Sequence, residues 1–356
     1  MPTYGTPLER LGFLTIGSFD PSRPGDGHEE TLRMVERGER LGFDAAWFRQ
    51  RHLQYGISSP VAMLAAASQR TSRIRLGTAV TPIGAENPFR LAEDLSTVDL
   101  LLGGRLEAGF SAGPPAHFDL FRDALYPGTA SHEDLGYERL LRFRDLVGGA
   151  LVTQGNASSF NEGLANSVQP HSAGLVERLW YGAASTLSAL WAGENGFHLL
   201  TSSVTRSEIG RNFGRNQRAQ IDAYLSVHPN PLTARVSQGI VAIPTDSAKP
   251  EQKRRYRHYV DSRAARVGVP IGPSRILLAP DLLGTSTELA EQLHGDPGYQ
   301  AATEVTFALP FKLQPTDYAQ ILNDLAEHLG PKLGWSPRSA SPHRPEKTNR
   351  TAGGRR

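Results

Sequence analysis

The chain has no cysteine among its 356 residues, which excludes disulfide bonds, thiol nucleophiles and cysteine-ligated metal sites. It also lacks any apolar run that approaches the roughly 18 to 20 residues of a membrane-spanning helix. The first ten residues, MPTYGTPLER, contain neither the basic segment nor the apolar core of a signal peptide. We therefore expect a cytoplasmic protein that does not associate with membranes.

Charge is distributed unevenly along the chain. Residues 336–356 carry six Lys or Arg and one Glu, a net charge of +5, whereas the whole chain has a net charge of +2. Residues 1–335 therefore carry a net charge of −3. The terminal segment is rich in Ser, Pro, Arg and Gly and has little to bury, so we predict a disordered basic tail over 336–356. A solvated appendage explains this tail better than nucleic-acid binding does.

Strand and helix patterns alternate along the rest of the chain. Eight segments have strand character, namely 11–19, 43–51, 74–81, 105–111, the buried segment before Gly182, 197–201, 234–244 and 304–309. This alternation favours a (β/α)8 barrel over residues 1–335 rather than an open doubly wound sheet. Residues 152–177 interrupt the alternation and are predicted to be an insertion after the fourth helix.

The chemistry of such a barrel is located where the strands end and the following loops begin. This rule selects candidate site residues without reference to any function. They are Ser18, Phe19 and Asp20 after the first strand, Arg51 and His52 after the second, Thr78, Ala79 and Val80 at the third, Ser111, Ala112 and Gly113 after the fourth, and Gly182, Ala183, Ala184 and Ser185 after the fifth.

The segment 178–196 predicts a phosphate site. Its small residues, Gly182 to Ala184, would let a ligand approach the backbone closely. Ser185 can cap the following helix, whose first turn presents free N–H groups and a partial positive charge. These features together favour anion binding, although ordinary strand-to-helix connections in α/β proteins have the same pattern.

Four segments resemble the bacterial luciferase-like flavin monooxygenases: GFDAAWFRQRH at 42–52, RTSRIRLGTAV at 70–80, NPFRLAED at 87–94 and DLLLGGR at 99–105. The phosphate site and the Gly-Trp pair at 334–335 are similar as well. The resemblance implies a luciferase-like (β/α)8 barrel, usually a homodimer. It also implies reduced FMN supplied by a separate flavin reductase, O2 and a small-molecule substrate. A sister group of the same family binds a deazaflavin instead.

The resemblance also implies roles for particular residues. Ser185 and Ser188 correspond to hydroxyl residues that hold the flavin phosphate. Ala79 and Val80 lie where the family often has a non-prolyl cis peptide beneath the flavin ring, and Ser111 lies where a residue lines that ring. Thr78 and the small residues Gly182, Ala183 and Ala184 complete the set of cofactor-binding candidates.

Two positions depart from the luciferase pattern. Luciferases have two adjacent histidines after the second strand, whereas this chain has Arg51 and then His52. An arginine cannot act as a general base at ordinary pH, so His52 is the acid–base candidate and Arg51 a hydrogen-bond donor. Luciferases also place an arginine against the phosphate after the fourth strand, where this chain has Ala112.

Three functions follow as hypotheses. The first is a two-component FMN-dependent monooxygenase with His52 and Arg51 as catalytic residues. The second is a deazaflavin-dependent oxidoreductase, ranked lower because the sequence shows no obvious basic cluster near the phosphate site for a longer anionic tail. The third is a non-catalytic flavin-binding relative, which the arginine at position 51 suggests. No pattern in the sequence has metal-ligand spacing.

Overall fold

The computed structural model describes residues 7–152 and 165–337. Its strands, numbered in chain order, are β1 Arg10–Thr15, β2 Ala45–Phe48, β3 Arg75–Thr78, β4 Thr81–Pro82, β5 Leu106–Ser111, β6 Leu179–Gly182, β7 His198–Thr201, β8 Val204–Arg206, β9 Val236–Ile240, β10 Ala242–Pro244, β11 Ile276–Leu278, β12 Leu282–Gly284 and β13 Glu304–Ala308.

The helices surround these strands. In chain order they are α1 Pro24–Arg40, α2 Pro60–Ser68, α3 Pro88–Leu101, α4 Arg122–Leu125, α5 Tyr137–Val147, α6 Thr186–Glu194, α7 Phe213–Val227, α8 Pro250–Ala264, α9 Ser286–His294, α10 Pro297–Ala301, α11 Pro315–Asp324 and α12 Gly330–Lys332. Among the helices in the described part of the chain, none has both the length and the apolar composition needed to cross a membrane.

Parallel strands close into a barrel. β1 pairs with both β2 and β13, and the order continues through β9, β7, β6 and β5 back to β3. The ring closes where Leu76 of β3 pairs with Leu106 of β5. β4 continues the third barrel strand after residues 79–80 and also pairs with β5. The predicted (β/α)8 barrel is confirmed, and each of the eight predicted strand segments contains a barrel strand.

One predicted strand is divided in the structure. The prediction of a single strand over 234–244 was wrong, because β9 lies in the barrel whereas β10 pairs with β12 outside it. The carbonyl of Val241 accepts a hydrogen bond from the amide of Leu282, which directs the chain away from the barrel. Residues 153–164 of the predicted insertion and 338–356 of the predicted tail lie outside the described residues.

Side chains along β2 alternate between two environments, as strand geometry requires. Trp47 points into the barrel, where its ring meets that of Trp180 edge-on at a centroid distance of 5.5 Å. Its neighbour Phe48 points outward into the core between the sheet and the helices. Arg49 follows in the inward register and lies at the carboxyl-terminal end of the barrel.

The amino-terminal end of the barrel contains a buried ion-pair network. Glu107 is fully buried and accepts hydrogen bonds from Arg75 at 2.5 Å, Arg235 at 2.8 Å and the indole of Trp180 at 2.5 Å. Arg235 also donates to Glu304 at 2.7 Å. Burial alone would raise the pKa of Glu107, but the charges of Arg235 and Arg75 outweigh burial and hold it below its ordinary value.

Candidate active site

A cavity of about 140 Å³ lies at the carboxyl-terminal end of the barrel. Five predicted cofactor-binding residues line it together: Ala79, Val80, Gly182, Ala183 and Ala184. The other predicted site residues are absent from its lining, namely Arg51, His52, Thr78, Ser111, Ser185 and Ser188. The structure therefore brings together the predicted ring-binding residues of 79–80 and 182–184, whereas the predicted phosphate and catalytic residues lie outside the cavity lining.

Backbone proximity shapes one wall of this cavity. The Ala79–Val80 peptide bond is cis. A Cβ atom at Gly182 would lie only 2.9 Å from Cγ1 of Val80. A side chain at position 182 would therefore displace Val80, so glycine is required for the end of β6 to approach this peptide closely.

Thr78 and Ser111 are at the carboxyl ends of their strands, as predicted, but neither is part of the cavity lining. The hydroxyl of Thr78 is buried, donates to the carbonyl of Gly109 at 2.8 Å and accepts from its amide at 2.9 Å. This hydroxyl therefore joins β3 to β5. Ser111 is half-buried and lies opposite Pro82 in the strand register.

Ser185 caps helix α6, which confirms the predicted cap. Its hydroxyl accepts from the amide of Ser188 at 3.2 Å, and the hydroxyl of Ser188 accepts from the amide of Ser185 at 3.2 Å. The two hydroxyl oxygens lie 2.9 Å apart. This reciprocal arrangement satisfies free donors of the first helical turn and places two hydroxyl groups side by side.

A carboxylate already occupies part of the α6 N-terminus. Oε2 of Glu208 accepts hydrogen bonds from the amide and the hydroxyl of Thr186, at 2.8 and 2.6 Å. The side-chain amide of Gln220 donates to the same oxygen at 3.3 Å. Because helix N-termini favour anions, this contact shows that the site accepts negative charge, and an incoming phosphate would compete with Glu208.

Basic residues approach the same region through the chain fold. The amide of Arg206, at the end of β8, donates to the carbonyl of Ala184 at 2.8 Å. Arg206 pairs with Ile276 in the β8–β11 ribbon, and the neighbouring Arg275 donates to the hydroxyl of Ser207 at 3.3 Å. This ribbon therefore brings the backbone of Arg206 to the segment that leads into α6, whereas the expectation that no basic cluster lies near the phosphate site stays a prediction.

His52 lies in the loop after β2 in a partly buried environment. Its Nε2 is 3.2 Å from Nε2 of Gln50, which also donates to Glu86 at 2.8 Å. The ring of Phe121 lies 5.0 Å from that of His52. An amide N–H donates only to an unprotonated ring nitrogen, so this contact fits neutral His52 with its proton on Nδ1. Burial lowers the pKa of His52, which also favours the neutral form.

Arg49 is a candidate that the sequence interpretation missed. Its side chain lines the cavity, whereas those of Arg51 and His52 do not. Burial and the nearby charge of Arg51 lower the pKa of Arg49 to about 10, so its guanidinium remains charged at neutral pH. The alternation of β2, in which Trp47 faces inward, was the sequence signal that could have placed Arg49 in the barrel interior.

The model of the luciferase-like monooxygenase family matches residues 10–224, more than half of the chain. A 4-hydroxyprotoasukamycin monooxygenase of Streptomyces nodosus subsp. asukaensis is 37% identical over 111 residues, which cover 30% of each protein. A limonene 1,2-monooxygenase of Rhodococcus erythropolis is 40% identical over 88 residues, covering 24% of this chain and 22% of that protein. The matched segment thus spans less than a third of these curated relatives.

Solved structures resemble the chain over nearly its whole length. The oxygenating constituent of 3,6-diketocamphane monooxygenase from Pseudomonas putida, in complex with FMN, has a TM-score of 0.63 at 15% identity and covers 91% of this chain and 98% of that one. The coenzyme F420 dependent tetrahydromethanopterin reductase from Methanopyrus kandleri has a TM-score of 0.60 at 14% identity, covering 92% and 100%. At these identities the likeness shows a shared fold.

Proposed function

Because the chain belongs to the luciferase-like monooxygenase family, we propose that it is a two-component monooxygenase. It takes reduced FMN from a separate flavin reductase and uses O2 to oxidise a small organic substrate. The observation that carries this proposal is the continuity of the cavity with an anion-accepting helix end. Residues 182–184 line the cavity and lead directly into Ser185, the cap of α6.

The α6 N-terminus supplies donors suited to a phosphate. The hydroxyls of Ser185 and Ser188 lie 2.9 Å apart, and the amide of Thr186 is the next donor in the first turn. Glu208 is an exposed residue, so its carboxylate can move into solvent when a phosphate takes its place. The group therefore fits once Glu208 moves and the Ser185 and Ser188 hydroxyls, which now contact each other and the Ser185 carbonyl, turn towards it. These donors then replace the arginine that luciferases have at the position of Ala112.

The cavity walls suit a planar ring. Ala79, Val80 and Gly182 form a wall of small or β-branched residues close to the backbone, which leaves a flat surface for the flavin. Bound reduced flavin supplies the electrons that activate O2. The protein's part is to position the ring, exclude water and supply hydrogen bonds.

We assign proton transfer to His52 and hydrogen-bond donation to Arg51. The lowered pKa favours neutral His52, whose acceptor nitrogen accepts from the Gln50 amide, so Gln50 must release this nitrogen before His52 takes a proton. Nε of Arg51 is buried and has no hydrogen-bond partner among residues 7–152 and 165–337, which leaves it available to a ligand. Neither side chain lines the cavity. Contact with the substrate therefore requires the loop after β2 to bring both groups towards it.

A deazaflavin-dependent oxidoreductase is the second candidate. The backbone of Arg206 contacts that of Ala184, and the guanidinium of Arg275 contacts the hydroxyl of Ser207, so Arg275 is the positive charge that a longer anionic tail than that of FMN would meet. One solved neighbour is named for coenzyme F420, which is a deazaflavin.

A homodimer formed through the early barrel helices is a further part of the proposal, and a monomer in equilibrium sedimentation at micromolar concentration would contradict it.

Matched flavins test the proposal. Riboflavin differs from FMN only by the phosphate, so we expect FMN to bind at least about tenfold more tightly by calorimetry, as charge-assisted hydrogen bonds would give. Equal affinities would contradict the phosphate site. Reduced FMN bound to the protein should reoxidise in aerated buffer more slowly than free FMN. Reoxidation at the rate of free FMN would support the non-catalytic alternative. Hydride transfer from reduced deazaflavin, without any such effect on reduced FMN, would support the second candidate.

A further inference from the structure

One cation at the cavity has no counter-charge in the part of the chain that the structure describes. Arg49 is partly buried and its side chain forms part of the cavity lining. Within residues 7–152 and 165–337, no carboxylate lies within ion-pair distance of its guanidinium and no hydrogen bond from this group is formed. The charge of Arg51 acts on it and is repulsive.

This arrangement is energetically unfavourable without a ligand. Removing a charged group from water without a partner costs free energy, and a like charge nearby adds to that cost. Elsewhere in the same barrel Arg235 and Arg178 each contact carboxylates at 2.8 Å or less. A cation held unpaired against a cavity wall is therefore the kind of group that a bound anion would stabilise.

We propose that Arg49 binds the carboxylate of an acidic substrate in this cavity. The inference deepens the proposed function, on which it rests, by naming the substrate class. The planar guanidinium fork matches a carboxylate in bidentate geometry. The phosphate of a flavin has its own donors on α6, so it does not account for the charge on β2.

The remaining lining defines the rest of the substrate. Leu14, Leu200 and Ala308 supply apolar surface, whereas Thr201, Ser237 and Thr306 supply hydroxyl groups. Ser237 and Thr306 already hydrogen-bond each other at 2.9 Å, which leaves the aliphatic surface as the larger contact. Because the flavin ring is placed against Ala79, Val80 and Gly182 in this same cavity of about 140 Å³, only a small apolar body that carries one carboxylate can lie beside it.

Calorimetry with benzoate and its neutral isostere benzamide tests this inference on the flavin-free, full-length protein. We expect wild type to bind benzoate about tenfold or more tightly than benzamide, in line with a hydrogen-bonded charge pair. Arg49→Gln should remove this preference. Arg142→Gln, which removes an exposed arginine on α5, should leave it unchanged. Equal binding of the two probes by wild type, or a preference that survives in R49Q, would overturn the proposal.

Two further measurements keep the result interpretable. Arg49→Lys retains the charge without the fork, so its preference should fall between those of wild type and R49Q, and this variant replaces R49Q if the latter does not fold. If R49Q instead changes the reduction potential of bound FMN and leaves benzoate binding intact, the cation serves the flavin and the substrate assignment is wrong. Benzoate binding without flavin is separate from the FMN–riboflavin comparison, so either proposal can fail alone.

Discussion

The two ends of the barrel treat buried charge in opposite ways. At the amino-terminal end Glu107 is enclosed by Arg75 and Arg235, each within 2.8 Å. At the carboxyl-terminal end Arg49 and Arg51 lie near one another, and neither has an ion pair within the described residues. The same barrel therefore holds a satisfied network at one end and, within the described residues, two cations without ion pairs at the other.

This difference separates stability from function within one fold. Charges that are fully paired in the folded chain need no ligand, and their loss should be felt as lost stability. Charges left without partners cost stability and are retained where a ligand completes them. We therefore expect substitutions at the amino-terminal end of the barrel to lower its stability. Substitutions at the carboxyl-terminal end should change what the protein binds.

The largest expected effect is a loss of stability on substitution of Glu107, at the amino-terminal end of the barrel. Glu107→Gln should lower the free energy of unfolding by about 3–5 kcal/mol in urea denaturation, because it leaves Arg235 and Arg75 without this buried partner. Asp222→Asn, in the exposed Arg218–Asp222 pair, is the control and should cost less than about 1 kcal/mol. Equal losses of stability in the two variants would show that the buried network contributes no more than an exposed ion pair, contrary to the expected difference.

The contribution of Glu107 to stability should also depend on pH. The folded-state pKa of Glu107 lies below its ordinary value, so its contribution to stability is present above the unfolded-state pKa. That contribution is lost as the pH falls through the lowered folded-state value. The stability difference between wild type and E107Q should therefore shrink in acid.

Ser185→Ala should produce a smaller effect with two parts. Loss of the cap should lower the free energy of unfolding by about 1 kcal/mol. Loss of the hydroxyl should also reduce the preference for FMN over riboflavin, because this hydroxyl is a proposed phosphate donor. Thr285→Ala removes the equivalent cap of α9 and is the matched control. It should lower stability by a similar amount without changing the preference between the two flavins.

Glu208→Gln tests how the carboxylate at the α6 N-terminus affects FMN binding. Removing the carboxylate charge from the α6 N-terminus should tighten FMN binding about two- to fivefold, the range expected for a charge at a helix end. Riboflavin affinity should not change, which serves as the internal control in the same calorimetric series. Weaker FMN binding in E208Q would show that Glu208 helps to position the cofactor rather than to exclude it.

The smallest expected effect is on the stability of the Arg49 variant. Arg49→Gln should have a free energy of unfolding equal to or above that of wild type, because it removes a charge without a partner. Arg235→Gln is the matched control at the opposite end of the barrel, and urea denaturation should show a clear loss there. A large loss in R49Q would mean that Arg49 is structural.

The fold was predictable because its signals are local. Apolar segments alternating with amphipathic helices gave the eight strand positions, and Ser185 followed from helix-capping rules that act over three residues. The division of 234–244 into β9 and β10 depends instead on the amide of Leu282, some forty residues away. Such pairing leaves no periodic trace in the segment itself.

The site was predictable only in part, for the same reason. The cavity wall at 79–80 and 182–184 follows directly from strand ends. Glu208 and Arg206 reach the α6 N-terminus only because the β8–β11 ribbon folds back on it, and no sequence spacing indicates that. Arg49 could have been predicted from the alternation of β2, whereas its lack of a counter-charge is a property of the folded chain.

A crystal structure of the protein soaked with FMN would show whether the carboxyl-terminal end of the barrel binds the flavin as proposed. We expect the phosphate within hydrogen-bond distance of Ser185, Ser188 and the amide of Thr186, with the Glu208 carboxylate displaced and the ring against Ala79–Val80. If Glu208 still occupies the amide of Thr186 and no flavin density fills the barrel mouth, the account of this end of the molecule is contradicted.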